Sequence, residues 1–405
     1  MTPIPDDLKR RQTVLVGDLE QLDTHPVPSW DDARLAFLSD LSRALLAAPG
    51  VREFPDVVTF AYWCRKANLQ ALKDKLSRPE RLQMGLGLVF HICPSNVPIN
   101  AAFSLAFGLL AGNTCVLRLP SASTPTLDLL VETLKTLLNT PEHANLQSAL
   151  FMLRYERDDD VNAYWMGCAD GRIVWGGDET VQRMRAYPAP AHSREVMFTD
   201  RYSLCVLKVE AVEGLGDEEL NAFCQKLYND IYLMDQAACS SPQLIAWVGD
   251  GERVRKAQDK LWPVFADFAD ERYLLEPIQS MDKFVEASNN ACTNTHIQSV
   301  KRQGRSLYRV QLDGLSSDQS ACRGYSGTVH EVTLGTLEEL TPSVTERYQT
   351  LTYFGYGPDE VSNYAKTAHL RGVDRIVPVG QALDMDAIWD GFDVIASLSR
   401  IVDVR

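Results

Sequence analysis

The sequence predicts an α/β protein of two doubly wound parallel-sheet domains, with helices ahead of the first and an edge strand at the end. Three observations predict it. The chain has 405 residues, 45% of them hydrophobic, more than one core usually holds and enough for two. Short apolar runs alternate with helical patterns from Gly85 to about Pro190, as in a parallel sheet covered on both faces. The same alternation restarts after residue 196.

Residues 29–76 set Leu35, Phe37, Leu38, Leu41 and Leu45, then Val57, Phe60 and Trp63, at helical spacing among charges, so two or three amphipathic helices come first. GLGLVFHICPSN reads as a strand ending in Pro and Asn, NAAFSLAFGLLAGN as a helix apolar on every side and closed by Gly112, and TCVLRLP as the next strand. A helix apolar all round must be buried, and this one is too short to cross a bilayer. Leu127 to Leu138 reads as a helix, FMLRY and GRIVWGG as strands, and DETVQRMRAY as a helix opening after Gly176-Gly177. Beyond residue 196, SLCVLKV and PQLIAWV read as strands, DEELNAFCQKLYNDIYLM and GERVRKAQDKLWPVFADF as helices. The tail holds a strand, RIVPV, an aromatic turn, IWDGFD, and a last run, VIASLSRIVDV. Its β-branched residues predict a strand added to an edge, of its own sheet or a neighbouring subunit's, and so a homo-oligomer. The boundaries that follow are 1–84 for the N-terminal helical segment, 85–195 and 196–375 for the two α/β domains, and 376–405 for the C-terminal segment.

The formal charge of −14, with Lys and Arg spread evenly, argues against a nucleic-acid partner. The nine cysteines are scattered, odd in number and without a CxxC pair, which argues against a disulfide framework or a zinc cluster and for reduced thiols in the cytoplasm. MTPIPDDLKR has neither the basic nor the apolar region of a signal peptide, and no apolar run reaches membrane-spanning length.

Three segments carry chemistry. Asp235-Gln236-Ala237-Ala238-Cys239-Ser240-Ser241-Pro242 lies between a helix and a strand, where a loop presents a thiol at the sheet edge. A thiol is nucleophilic once a neighbour favours its thiolate, yet no His or Lys stands beside Cys239 in sequence and the preceding helix offers its C-terminus. The bland alternative is a small buried cysteine. In His91-Ile92-Cys93-Pro94-Ser95-Asn96-Val97-Pro98 two prolines fix the backbone around Asn96 at the carboxyl end of a strand, where ligands bind in open α/β sheets. Its amide could stabilise an oxyanion, or simply cap the next helix. His91 reads as a hydrogen-bonded structural histidine rather than a proton shuttle. Gly85 and Gly87 precede a strand, so there is no GxGxxG fingerprint, but Trp175-Gly176-Gly177-Asp178-Glu179-Thr180 is a strand-to-helix turn that a pyrophosphate could approach.

In order, these segments resemble the aldehyde dehydrogenase superfamily and, within it, the LuxC-type fatty acyl-CoA reductases. HICPSNVPINAAFSLAFGLLAGNTCVLRLPSASTP, DQAACSSPQLIAW and RIVPVGQALDMDAIWDGFD carry the likeness, over roughly residues 85 to 405. The resemblance implies an aldehyde dehydrogenase-like fold, with a nicotinamide-cofactor domain at 85–195 and a catalytic domain at 196–375. It implies reduction of an acyl-CoA or other acyl thioester to the aldehyde through a thioacyl link to Cys239. Asn96 would be the side-chain donor to the oxyanion, beside the backbone N–H of Cys239. Arg118 falls near the family's cofactor-binding Lys, and Ser121 near an acidic residue that holds the adenine ribose in NAD-preferring members, so NADPH is favoured over NADH. Gly176, Gly177 and Thr180 would lie by the nicotinamide half. An acyl-protein synthetase is the partner the family suggests. The general-base Glu of hydrolytic members aligns with Met197, with Glu195 two residues away on the same strand face.

Two alternatives use the same cysteine: acyl transfer or thioester hydrolysis without redox chemistry, and reduction of an acyl phosphate. A non-catalytic subunit is a third, against which Cys239 and Asn96 count.

Overall fold

The structure, a computed structural model, describes residues 3–405. Tertiary contacts divide it into a first unit, formed by the residues up to Thr199 with Met385–Arg405, and a second, Asp200–Asp384.

The first unit opens with α1 (Asp6–Arg10) and β1 (Thr13–Val16), then α2 (Asp32–Ala47), α3 (Pro55–Trp63) and α4 (Lys66–Leu76). Asp31 starts α2 by accepting from the Arg34 backbone N–H at 3.2 Å, and Phe37, Leu38, Leu41 and Leu45 go into the core. There follow β2 (Leu82–Gly85), β3 (Leu88–Ile92), α5 (Asn100–Leu110), β4 (Thr114–Leu119), α6 (Pro125–Leu138), β5 (Leu150–Arg154), α7 (Asp159–Cys168), β6 (Gly171–Trp175), α8 (Asp178–Arg185) and β7 (Arg194–Phe198). The sheet order is β1-β5-β4-β3-β6-β7, parallel except for β1 against β5. The chain moves from β3 outward to β4 and β5, then returns to the other side of β3 with β6. That reversal makes the crevice at the carboxyl ends of β3, β4 and β6 the place where such a sheet binds ligands.

The sequence-predicted buried helix is α5: every residue from Ala101 to Leu110 is buried. Gly112 ends it at φ +95°, and a Cβ there would lie 2.2 Å from the Val27 carbonyl oxygen, so only glycine fits. Asn113 then accepts from Leu86 N–H at 2.6 Å and donates to the Leu398 carbonyl at 2.8 Å, tying the corner to the end of the chain.

The second unit contains β8 (Tyr202–Lys208), α9 (Val209–Glu213), α10 (Asp217–Tyr232), β9 (Pro242–Val248), α11 (Gly251–Arg272), α12 (Pro277–Thr293), β10 (Ile297–Gln303), β11 (Leu307–Leu312), β12 (Thr328–Leu334), β13 (Tyr348–Phe354), α13 (Pro358–Thr367) and β14 (Arg375–Pro378). Its sheet runs β10-β11-β12-β9-β8-β13-β14, with only β10 antiparallel. Both faces are covered, and β9 is buried along its whole length, which is why PQLIAWV is an unbroken apolar run.

The chain then returns to the first unit with β15 (Ile388–Trp389), β16 (Phe392–Asp393), α14 (Val394–Ser397) and β17 (Ser399–Val402). VIASLSRIVDV is therefore not one strand. Asp393 accepts from Ala396 N–H at 3.0 Å and caps a helical turn, and only the second half is extended, pairing antiparallel with β2. No helix among the described residues is long and apolar enough to cross a membrane.

Candidate active site

In the first unit the structure brings the predicted ligand-facing residues to one edge of one sheet. Asn96 is exposed just beyond β3. The N-cap position of α5 is Ile99, without a side-chain cap. Arg118 sits near the end of β4, its guanidinium carbon 5.2 Å from the centre of the Tyr155 ring, with Nη2 donating to the Tyr155 carbonyl at 3.4 Å. Ser121 is half-buried in the turn that follows. Beside Arg118, at the end of neighbouring β5, stands Arg154, which sequence reasoning missed; its Nε donates to the Pro120 carbonyl at 3.2 Å. A cation closing FMLR next to the strand that carries Arg118 near its end was the available signal.

Arg118 Nε and Arg154 Nη2 are both buried without a hydrogen-bond partner. A buried donor left unpaired costs about 1–3 kcal/mol, and each guanidinium has the chemistry to receive a phosphate oxygen, although the register that pairs Arg118 with Leu153 and Leu119 with Arg154 starts the two side chains from opposite faces of the sheet. Gly177, with nothing within 4 Å of a Cβ position, leaves its backbone open to a ligand, whereas a Cβ on Gly176 would meet Thr180 Cγ2 at 2.9 Å. The α8 N-terminus fits a phosphate less well than the sequence suggests. Asp178 and Glu179 already occupy its first turn and offset the positive end of the helix. Unpaired guanidinium donors at Arg118 and Arg154 and an open backbone at Gly177 are the features of this edge that a dinucleotide could use.

His91 is fully buried, its Nδ1 2.8 Å from Ser104 Oγ, and burial pushes it down to about 3. It is a structural residue. Met197 packs in the core with Ile92 and Val174. Glu195 lies near the start of β7, where Arg172 Nη1 and Arg185 Nε donate to it, each at 3.3 Å. The shared strand face is there, but Glu195 is fixed away from the carboxyl edge.

In the second unit Cys239 is half-buried, in the turn between α10 and β9. Two consecutive non-glycine residues, Asp235 (φ 51°) and Gln236 (φ 60°), take the left-handed conformation, at a cost of about 1–2 kcal/mol each. Such strain persists only where the surroundings dictate it, and here they do. Ser326 N–H donates to the Asp235 carbonyl at 3.0 Å, Tyr273 Oη donates to Asp235 Oδ1 at 2.5 Å, and Ser203 Oγ donates to the Cys239 carbonyl at 2.6 Å. The thiol thus stands at the amino edge of the parallel sheet, beside the starts of β8 and β12.

No disulfide joins any of the nine cysteines. Burial pushes the thiols of Cys64, Cys93, Cys115, Cys168, Cys205, Cys224 and Cys322 up, which makes them poor nucleophiles. Cys322 does meet a histidine, with Sγ 3.3 Å from His330 Nε2. Burial pushes that imidazole down to about 4, so neither partner is charged at neutral pH and proton transfer between them is uphill.

The fold is that of the aldehyde dehydrogenases. The chain superposes on Bradyrhizobium japonicum proline utilization A with a TM-score of 0.65 at 15% identity, over 91% of this chain and 42% of that one. It superposes on Escherichia coli lactaldehyde dehydrogenase at 0.62 and 14%, over 91% and 85%. The family is narrower: the acyl-CoA reductase (LuxC) model matches residues 60–402, and the chain belongs to that family. Similar relatives are the long-chain acyl-protein thioester reductases of Aliivibrio fischeri, 24% identical over 73% of this chain, and of Photobacterium phosphoreum, 22% over 79%. The matches span 58% and 62% of those two proteins.

Proposed function

We propose that the chain reduces an acyl group carried as a thioester to the aldehyde, with NADPH preferred over NADH, through a covalent thioacyl link to Cys239. The observation that carries this reading is the setting of Cys239: a half-buried thiol on a strained, braced turn, while burial holds most of the other cysteines protonated. Family membership supports the reaction class. The relatives' name favours a long-chain group delivered from a protein thioester, and acyl-CoA is the second donor of the same chemistry.

The sulfur of Cys239 attacks the thioester carbonyl, a C–S bond forms, and charge gathers on the carbonyl oxygen. By resemblance alone, Asn96 and the Cys239 backbone N–H would be the donors to that oxygen. The donor's C–S bond then breaks, and its sulfur leaves with a proton. A nicotinamide cofactor, when bound, would supply the hydride that, with a proton from solvent, converts the enzyme thioester to a thiohemiacetal. Cys239 then departs as the thiol and the aldehyde is released. Arg118 and Arg154 would hold the cofactor phosphates and Ser121 the adenine ribose, with no carboxylate at position 121 to repel a 2′-phosphate. Gly176, Gly177 and Thr180 would lie by the nicotinamide half.

The test is incubation with a labelled acyl thioester in the absence of cofactor. A thioester adduct is expected on the wild type and absent from Cys239→Ala; no adduct on the wild type would refute the covalent scheme. Adduct formation without acyl-dependent loss of NADPH absorbance would identify an acyl transferase instead.

A further inference from the structure

Gln236 stands three residues before Cys239 and is almost wholly buried, at 1% exposure. A polar side chain so placed must spend every donor and acceptor it has, and Gln236 does. Its Nε2 donates to the carbonyls of Pro242 and Thr328, both at 2.9 Å. Its Oε1 accepts from Gly327 N–H at 3.0 Å and Thr328 N–H at 3.1 Å. These bonds span the nucleophile turn, joining its first half to Pro242 at the start of β9 and to the start of β12. A second glutamine closes the frame: Gln243 Nε2 donates to the Gln236 carbonyl at 3.1 Å, and its Oε1 accepts from Gly324 N–H at 2.8 Å.

We propose that Gln236 is a positioning residue for the reaction of Cys239, the side chain that holds the thiol-bearing turn against its own left-handed strain. The inference rests on Cys239 being the acyl acceptor. Asp235 and Gln236 would relax to ordinary dihedrals if released, and the four side-chain bonds of Gln236 anchor the strained pair to two strands. A turn re-aimed by about 1 Å costs on the order of 100-fold in rate while leaving the thiol itself intact. Gln236 therefore acts on the geometry of attack rather than on the ionisation of sulfur, which separates it from a residue that merely stabilises the unit.

Two variants isolate the side chain. Gln236→Gly removes the frame but keeps a residue at ease with positive φ, and Gln236→Glu keeps the shape but turns oxygen toward two carbonyls. With labelled acyl thioester and no cofactor, both are expected to acylate Cys239 about 100-fold more slowly at saturating donor, with the half-saturating concentration changed less than about three-fold. Alkylation of Cys239 by iodoacetamide, which needs no orientation, is expected within about three-fold of wild type with an unshifted pH profile. Wild-type acylation rates in the folded variants would overturn the inference and leave the Cys239 reading intact. No adduct on the wild type would overturn that reading instead. Should both variants fail to fold, Gln243→Met, which removes only the outer brace, decides: about a ten-fold loss supports the frame, and a wild-type rate overturns it.

Discussion

Glu331 sits in the middle of β12, wholly buried, between two apolar faces. Its Oε2 accepts from Trp247 Nε1 at 2.9 Å, Gln258 Nε2 at 3.0 Å and Trp262 Nε1 at 2.8 Å, and its Oε1 accepts from Arg309 Nε at 2.7 Å. Every bond is charge-assisted, and Arg309 is itself largely buried, at 11% exposure. In Glu331→Gln the best arrangement keeps oxygen toward the three neutral donors and turns the amide toward Arg309, placing donor against donor. The guanidinium is left with Gln303 Oε1 at 3.2 Å and no counter-charge. Breaking a buried pair from one side costs about 3–5 kcal/mol, and about 2–4 °C of Tm accompanies each kcal/mol in a unit of this size. The expectation is a loss of about 4 kcal/mol and about 12 °C, read by urea and thermal unfolding with tryptophan fluorescence, for which Trp247 and Trp262 are direct reporters. Adding Arg309→Met removes the stranded charge and is expected to recover about half. A Glu331→Gln protein within about 1 kcal/mol of wild type, or no recovery in the double variant, would refute the reasoning.

Lys283 is buried with Nζ donating to the carbonyls of Ser306 and Ser326; burial first, then Arg302, pushes it down to about 7, against a smaller upward pull from Asp270. Between about pH 7 and the ordinary lysine value the unfolded chain holds the extra proton, so stability is expected to rise with pH across that window, by at most about 1.4 kcal/mol per unit; a slope as steep in Lys283→Met would exclude Lys283 as its source. Arg154→Gln is expected to weaken NADPH and NADH alike, each about ten-fold in a fluorescence titration, and unchanged affinities for both would remove Arg154 from the groups that hold the cofactor phosphates. Cys322→Ala is expected to retain the acyl adduct, since its histidine partner cannot take the proton at neutral pH; loss of adduct in a folded Cys322→Ala protein would contradict this. Without cofactor, the adduct is expected to hydrolyse slowly and equally in wild type and Glu195→Gln, and slower hydrolysis in the variant would identify Glu195 as a base.

Where composition followed burial, the fold was legible. The β3–α5–β4 segment announces itself because each element is covered on all sides and so carries almost nothing but apolar residues. Where an element is amphipathic or polar, the signal fails. Helix α7 was not foreseen because DDVNAYWMGC holds few strong helix formers, although Asp158 accepts from the N–H groups of Asp160 and Val161, a cap that DDD could have suggested. Strand β10 (IQSVKRQ) is an exposed edge, and β12 hides a buried His330 and Glu331 inside TVHEVTL; in both, polar residues mask the period. The candidate site divides the same way. Asn96, Arg118 and Gly176-Gly177 stand at strand ends, which parallel α/β topology places together. The frame around Cys239 depends on residues from 203 to 328 and on two left-handed residues that are not glycine, and no local pattern marks either.

Positions 195 and 197 on β7 are the two that the resemblance brings to the general-base role of hydrolytic members. Hydrolysis needs a base that can take a proton from water; reduction needs none. Position 197 holds a methionine packed among Ile92 and Val174, so a carboxylate introduced there would be buried without a partner. Position 195 holds a carboxylate, but Arg172 and Arg185 already bond to both of its oxygens. Arg172 in turn is fully buried and donates to the carbonyls of Met166 and Pro188, so it cannot swing aside to release Glu195 without abandoning buried acceptors. The same buried arginine that ties β6 to β7 thereby holds the Glu195 carboxylate in place.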